Sequence, residues 1–246
     1  MLALCLMALA AVAVHAEEKQ VLFGTLDGQV LASGSRKVVI LGPDGKTLWE
    51  HKTAGLPHDA WMLPSGNVLY ADGKAVTEVD RDHKVIFEYK PKEQKGGGAY
   101  SCQRLTNGNT LIGENATGRV LEVDAQGKIV FELQATPAKP GSHHNQRMVR
   151  KLPNGNYLVC HSGAHHVKEY TPKGEVVLDI PMKSVVFGAV RTAKGHTFVC
   201  SVATLTEHDG EGNVVWTFTN KDVADVTITN MTGFQLLPNG NLVIGC

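Results

Sequence analysis

The sequence lacks most of the features that mark the specialised protein classes. Aromatic side chains make up only 6% of its 246 residues, and 26 glycines and ten prolines point to many turns instead of long helices. This composition disfavours a coiled coil, a disordered tail and a polytopic membrane protein. Charge of one sign is missing: 24 Lys+Arg balance 24 Asp+Glu, with no long block of either. There is then no electrostatic footprint for nucleic acid or an acidic membrane, and no nucleic-acid partner is expected. The 11 histidines alter that balance only below about pH 6.5. No apolar run reaches the ~20 residues needed to cross a bilayer, so no transmembrane span is expected.

The first positive feature is at the N-terminus. Residues 2–14 form an uninterrupted apolar run followed by Val14-His15-Ala16 and the polar Glu17-Glu18-Lys19. Too short to span a membrane and ending in a small-x-small-like site, residues 1–16 are expected to be a secretory signal cleaved after Ala16. Export to the periplasm or the exterior follows. No Lys or Arg precedes the run, so the charged start of a signal is missing. Residues 17–246 are left for a single domain.

That domain is a repeat. The turn Leu-x-x-Gly-Asn recurs at Leu63–Asn67, Leu105–Asn109, Leu152–Asn156 and Leu237–Asn241, and Arg191-Thr-Ala-Lys-Gly-His196 is a degenerate copy. The turn glycines Gly66, Gly108, Gly155, Gly195 and Gly240 are 42, 47, 40 and 45 residues apart. A second marker, acidic then turn then apolar, holds the same phase: Glu78-Val-Asp80, Glu122-Val-Asp124, Glu169-Tyr-Thr171 and Glu207-His-Asp209. Asn-Gly between apolar runs is a strong hairpin signal. Each unit supplies four short strands, as in Met148–Leu152, Tyr157–Cys160, Val120–Val123 and Ile129–Leu133. Four antiparallel strands every ~40–45 residues is the pattern of a β-propeller blade. A β-sandwich gives no reason for markers to recur in phase. The all-β chain is therefore expected to be one propeller of four-stranded antiparallel blades. Six blades cut short at the C-terminus by about 30–40 residues is the first count, from the blade length. A closed five-bladed ring is the alternative.

The segments Pro43-Asp-Gly-Lys-Thr-Leu-Trp49, Asp124-Ala-Gln-Gly-Lys-Ile-Val-Phe131 and Asp209-Gly-Glu-Gly-Asn-Val-Val-Trp216 resemble the Asp-x-x-Gly-Lys-x-x-Trp repeat of quinoprotein-like (pyrroloquinoline quinone repeat-type) propellers. The Leu-Pro-Asn-Gly-Asn turn, preceded in one unit by His58-Asp59, resembles the blade signature that those propellers share with the arylsulfotransferase family. The resemblance covers residues 27–246 and rests on turn and packing residues, so it bears on fold more than on chemistry. It implies that the Trp and Phe of each fourth strand pack between blades. It also implies two activities to weigh: sulfuryl transfer through a histidine, and dehydrogenation with pyrroloquinoline quinone and Ca²⁺. For the second only the scattered Asp59 and Asn145 offer ligands, and the vicinal Cys-Cys pair of many quinoprotein alcohol dehydrogenases is missing.

Candidate site residues follow from blade equivalence. In a propeller the first strand of each blade lines the central channel, and eight residues before each turn glycine stand His58, Tyr100, Arg147, Phe187 and Thr232. His58, Asp59, Tyr100, Asn145 and Arg147 are expected at the channel mouth, where an arginine fork clamps a carboxylate or sulfate. Ser142-His143-His144-Asn145-Gln146-Arg147 brings two more histidines there, so His58, His143 and His144 are the candidate catalytic residues. His161-x-x-x-His165-His166 has two of the spacings of a metal site, but it spans a strand end and a turn and has no evident third ligand. An exposed polar loop is expected there and no metal site. Cys160 and Cys200, each five residues after a turn glycine, fall in different sheets; with Cys102 and Cys246 they are expected to be unpaired, small hydrophobes. Asn115-Ala-Thr117 and Asn230-Met-Thr232 match the glycosylation sequon. Regular packing markers abound while no complete acid-base or metal set does. The expected function is an exported, monomeric binding or scaffold module, with a small anionic or aromatic ligand, or a protein, at the channel mouth.

Overall fold

The computed structural model describes residues 28–223, 228–237 and 239–245. Residues 1–16, expected to be a signal segment and including Cys5, and Cys246 lie outside them.

The chain is a β-propeller. Its first blade is β1 (Val30–Gly34), β2 (Lys37–Leu41) and β3 (Thr47–Lys52). The second is β4 (Asp59–Met62), β5 (Val68–Ala71), β6 (Val76–Val79) and β7 (Val85–Tyr89). The third is β8 (Ala99–Arg104), β9 (Thr110–Glu114), β10 (Arg119–Val123) and β11 (Ile129–Gln134). The fourth is β12 (Val149–Lys151), β13 (Tyr157–His161), β14 (His166–Tyr170) and β15 (Val176–Pro181). The fifth is β16 (Val186–Arg191), β17 (Thr197–Ser201), β18 (Thr204–His208) and β19 (Val214–Thr219). All neighbours pair antiparallel in chain order. Five blades of three or four strands match the five-bladed alternative; a two-stranded hairpin, β20 (Gly233–Leu236) and β21 (Leu242–Gly245), follows them. Among the described residues the only helix is one 3₁₀ turn, Asn220–Asp222.

Burial explains the strand sequences. The second strands β5, β9, β13 and β17 are buried along their whole length, which is why they are apolar at successive positions instead of alternating. The fourth strands β7, β11, β15 and β19 open on exposed pairs such as Val85-Ile86 and Val176-Val177. The core is a series of clusters, each shared by two successive blades. Val38 and Ile40 meet Val68, Tyr70 and Val79; Leu69 and Val76 meet Ile112 and Leu121; Leu111 and Val120 meet Val149, Tyr157 and Val159; Leu158 and Val167 meet Ala189 and Val199. Trp49, Phe87, Phe131 and Trp216 all join these clusters.

The two sequence markers hold phase because they are bonded to each other. The turn residue after each glycine reaches the glutamate of its own blade: Asn67 Nδ2 donates to Glu78 at 2.7 Å, Asn156 Nδ2 to Glu169 at 2.7 Å, and His196 Nδ1 lies 2.8 Å from Glu207. The other carboxylate oxygen reaches the next blade, Arg104 to Glu78 at 2.6 Å and Arg191 to Glu169 at 2.7 Å, and Glu122 takes Lys151 and Tyr157 of the next blade on one oxygen, Oε1. Each cation stands four residues before its turn glycine, a third marker in phase with the other two. At the next such position stands Leu236, and among the described residues Glu207 bonds only within its own blade. The register slips by one residue just after these glutamates, at Glu78, Glu122, Glu169 and Glu207.

The turn glycines have φ between 85° and 87°, and no atom lies within 4 Å of the place a Cβ would take, so backbone conformation and not space requires them.

Candidate functional site

Blade equivalence places His58 just before β4, Tyr100 in β8, Arg147 just before β12 and Phe187 in β16. His58 N bonds Ala71 O at 2.8 Å and Arg147 N bonds Cys160 O at 3.0 Å, so both leave the first strand at the same level. The side chains converge. Arg147 Nη1 donates to His58 Nδ1 at 2.9 Å. Its guanidinium carbon lies 4.8 Å from the Tyr100 ring centre and 5.9 Å from that of Phe187. The His58 and Tyr100 ring centres are 3.9 Å apart. His143 joins them, its ring centre 5.0 Å from Tyr100 and 5.7 Å from His58. Thr232, the fifth equivalent, is exposed and bonded to Gly245 O.

The electrostatics of this cluster are unusual because its cation has no counter-ion. No carboxylate pairs with Arg147 among the described residues, and its Nε is buried with no hydrogen-bond partner. Burial lowers the Arg147 pKa from its usual value. Burial first, then Arg147 and His143, push His58 down to about 3, so its ring is neutral at physiological pH. His143 and His144 are both exposed and both lowered, by desolvation and then by Arg147.

Asp59 and Asn145 have other tasks. Asp59 forms a two-pronged pair with Arg150, at 2.8 and 3.0 Å, and also accepts from Ser101 Oγ and Cys102 N at 3.2 and 3.0 Å. It locks the second blade to the third and fourth. Asn145 is buried; its Oδ1 accepts from Lys139 N at 3.0 Å and its Nδ2 donates to Asn115 O at 2.9 Å. Asn115 in turn donates to Gly96 O, Gly97 O and Ser142 O. This knot ties the loop 94–98 to the loop that carries His143, and it buries Asn115 completely, so the first sequon is closed to a glycan in the folded chain. Gly97 belongs to the same knot: a Cβ there would overlap Tyr100 Oη. The Gly96-Gly97-Gly98 run is the signal that could have marked this loop, as a close approach by a ring.

His161 departs from the exposed loop expected around it. It is buried at the end of β13, 2.8 Å from Thr136 Oγ1 and 2.9 Å from Tyr170 Oη, and desolvation lowers it to about 4. It is a core residue. His166 is held by Asp179 at 2.6 Å, and His165 takes the left-handed turn position with φ 61°. No group of three metal-type ligands occurs among the described residues. Cys102, Cys160 and Cys200 are free and buried.

A second histidine cluster lies between the first two blades. His83 stands in Asp80-Arg-Asp-His-Lys84 where other units have glycine, and it keeps the left-handed φ of 68°. There its Nδ1 meets His51 Nδ1 at 3.1 Å, and both rings lie nearly parallel to Trp49. Histidine in a glycine slot was the available signal.

The fold and this cluster define a β-propeller with an arginine, two imidazoles and two aromatic rings gathered at one end of its first strands. No family model and no curated relative matches the sequence. Among solved structures, a protein of unknown function from Bacteroides caccae superposes with a TM-score of 0.77 at 19% identity, over 89% of this chain and 82% of that one. A streptogramin B lyase superposes with a TM-score of 0.61 at 11% identity, over 89% and 79%. Virginiamycin B lyase from Staphylococcus aureus gives 0.59 at 12% identity, over 88% and 82%. At these identities the likeness is one of fold.

Proposed function

We propose that this chain is an exported ligand-binding propeller whose channel mouth takes a small aromatic oxyanion on Arg147. The observation that carries the reading is the unpaired guanidinium, with its Nε buried and unbonded. Removing a charge from water without a partner costs several kcal/mol, and an anion offsets that cost. One edge of the fork, Nη1, is occupied by His58. On the opposite edge Nε is buried, which leaves Nη2 as the donor for a carboxylate or sulfate oxygen. Phe187, half-buried beside the guanidinium, offers a face for an aromatic ring, with the buried Tyr100 behind the arginine.

The test is a calorimetric titration with benzoate and with 4-nitrophenyl sulfate against the wild type and Arg147→Met. Binding by the wild type and at least about tenfold weaker binding by the variant is expected, since a charge-assisted bond contributes ~1.5–3 kcal/mol. Equal affinities overturn the reading.

A second reading is sulfuryl transfer to a histidine, in line with the arylsulfotransferase resemblance. It is favoured by one observation, the exposed His143 ring within the field of Arg147. Incubation with 4-nitrophenyl sulfate leaves a mass adduct on a histidine if this reading holds and none if it does not. The lyase activity of two fold neighbours belongs to those proteins and adds no residue here. A quinone with Ca²⁺ does not fit the residues offered for it: both Asp59 oxygens are taken up by Arg150, and the Asn145 oxygen by Lys139 N. No step is derived through that group.

A further inference from the structure

The two imidazoles beside Arg147 are held in opposite tautomers. A guanidinium only donates, so the 2.9 Å contact to His58 requires a bare Nδ1 on that ring. A neutral His58 then carries its hydrogen on Nε2. Around His143 the bonding runs the other way. Tyr100 Oη lies 2.8 Å from Gly96 O, which accepts only, and Tyr100 Oη also contacts His143 Nδ1. Both contacts contain a hydrogen only if Tyr100 donates to Gly96 and His143 Nδ1–H donates to Tyr100. That leaves the lone pair on His143 Nε2, on an exposed ring.

We propose that the mouth is an acid-base site in which His143 Nε2 accepts a proton from a carbon acid held on Arg147. The inference rests on the oxyanion reading given above. In the step, the C–H bond next to the ligand's carbonyl or carboxylate carbon breaks. Its electron pair stays on the ligand as an enolate, and the proton ends on His143 Nε2. Arg147 and the His58 Nε2–H face the oxygen on which the charge gathers. Return of the proton, or of one from water, completes the cycle, and no oxidant or further reactant is consumed. The substrate class is a small aromatic 2-oxo or 2-aryl acid, from the Arg147 guanidinium and the half-buried Phe187 ring beside it. Tyr100 is a positioning residue: by accepting from Nδ1–H it keeps Nε2 bare, and the Gly96–Gly97 loop fixes its own hydroxyl.

The tautomers are measured without any ligand, from two-bond ¹⁵N–¹H correlations of the imidazoles near neutral pH. His143 is expected to show Nδ1–H and His58 Nε2–H; Tyr100→Phe is expected to move His143 toward Nε2–H and leave His58 unchanged. The activity arm follows deuterium uptake at the benzylic carbon of phenylpyruvate in D₂O, by NMR, above the rate in buffer. Wild type is expected to accelerate uptake, and His143→Gln to lose about 10²-fold or more of that acceleration. Like tautomers in the two rings overturn the proposal. Opposite tautomers with no accelerated exchange also overturn it, but leave the oxyanion reading standing if benzoate still distinguishes wild type from Arg147→Met. Should that last difference vanish, the failure lies with the binding site itself.

Discussion

Replacing Glu169 by Gln tests whether the recurring glutamate joins one blade to the next. The carboxylate has two commitments: Oε1 accepts from Asn156 and Asn154 at 2.7 and 3.0 Å within the fourth blade, and Oε2 accepts from Arg191 of the fifth at 2.7 Å. An amide has one oxygen, so its NH₂ must face either the two Asn donors or the guanidinium, and one set of bonds is lost. Breaking a buried ion pair costs ~3–5 kcal/mol. Here the Arg191 side chain is 17% exposed against 7% for Glu169, so water recovers part of the cation's solvation. A loss of about 2–3 kcal/mol is expected, at the upper end of a single bond to a charged group. With a urea slope of ~1–3 kcal/mol/M, the midpoint falls by about 1 M. Arg191→Met is expected to cost a similar amount, and the double variant less than the sum, with a coupling of ~1–3 kcal/mol. A midpoint within about 0.2 M of wild type, or strictly additive losses, would refute the reasoning.

Acid destabilises the fold with a definite sign. His58 and His161 sit at about 3 and about 4 when folded, below their unfolded value near 6.5, so the unfolded chain takes up protons first. Their contribution is complete above about pH 6.5 and is lost as pH falls toward 4, by roughly 2 kcal/mol each between pH 7 and 5. Urea midpoints in that range are expected to drop, and to drop less in His58→Gln; a flat profile contradicts the burial argument. Asp59→Asn is expected to cost ~2–4 kcal/mol of stability through the Arg150 pair while leaving benzoate affinity intact. A lost affinity in the folded variant would place Asp59 in the site after all. Gly97→Ala forces a Cβ onto the Tyr100 hydroxyl, at a backbone φ of 97°. Weaker anion binding with unchanged circular dichroism is expected, and unaltered binding contradicts the placement of that loop.

The architecture is legible in the sequence because its markers are contacts. Asn67, Asn156 and His196 bond the Glu of their own blades, so neither position drifts without the other, and the phase survives in the sequence. The ring His58, Tyr100, Arg147 and Phe187 is legible for the same reason: equal distance from equivalent turns means equal height on the first strands. Asp59 does not join that ring because adjacency along a strand puts neighbours on opposite faces, and Asn145 does not because it lies in the loop before β12. Asp59 next to His58 points between blades, and Asn145 turns into the loop knot. The burial of His161 is invisible in its own segment because its partners Thr136 and Tyr170 lie outside that strand and carry no local signal.

Two seams of the propeller carry no ion pair among the described residues: that of the first and second blades, where Met62 holds the position of the cation, and that of the fifth blade with the β20–β21 hairpin. From the second blade to the fifth, neighbours share a glutamate and a cation as well as apolar surface. Between the fifth blade and the β20–β21 hairpin the contact is Phe198, Trp216, Phe218, Phe234 and Leu236, with Leu236 at the position of the cation. Apolar attraction weakens on cooling, as its entropic driving force fades. The hairpin seam, where no ion pair adds to the apolar contact among the described residues, therefore loosens as the temperature falls.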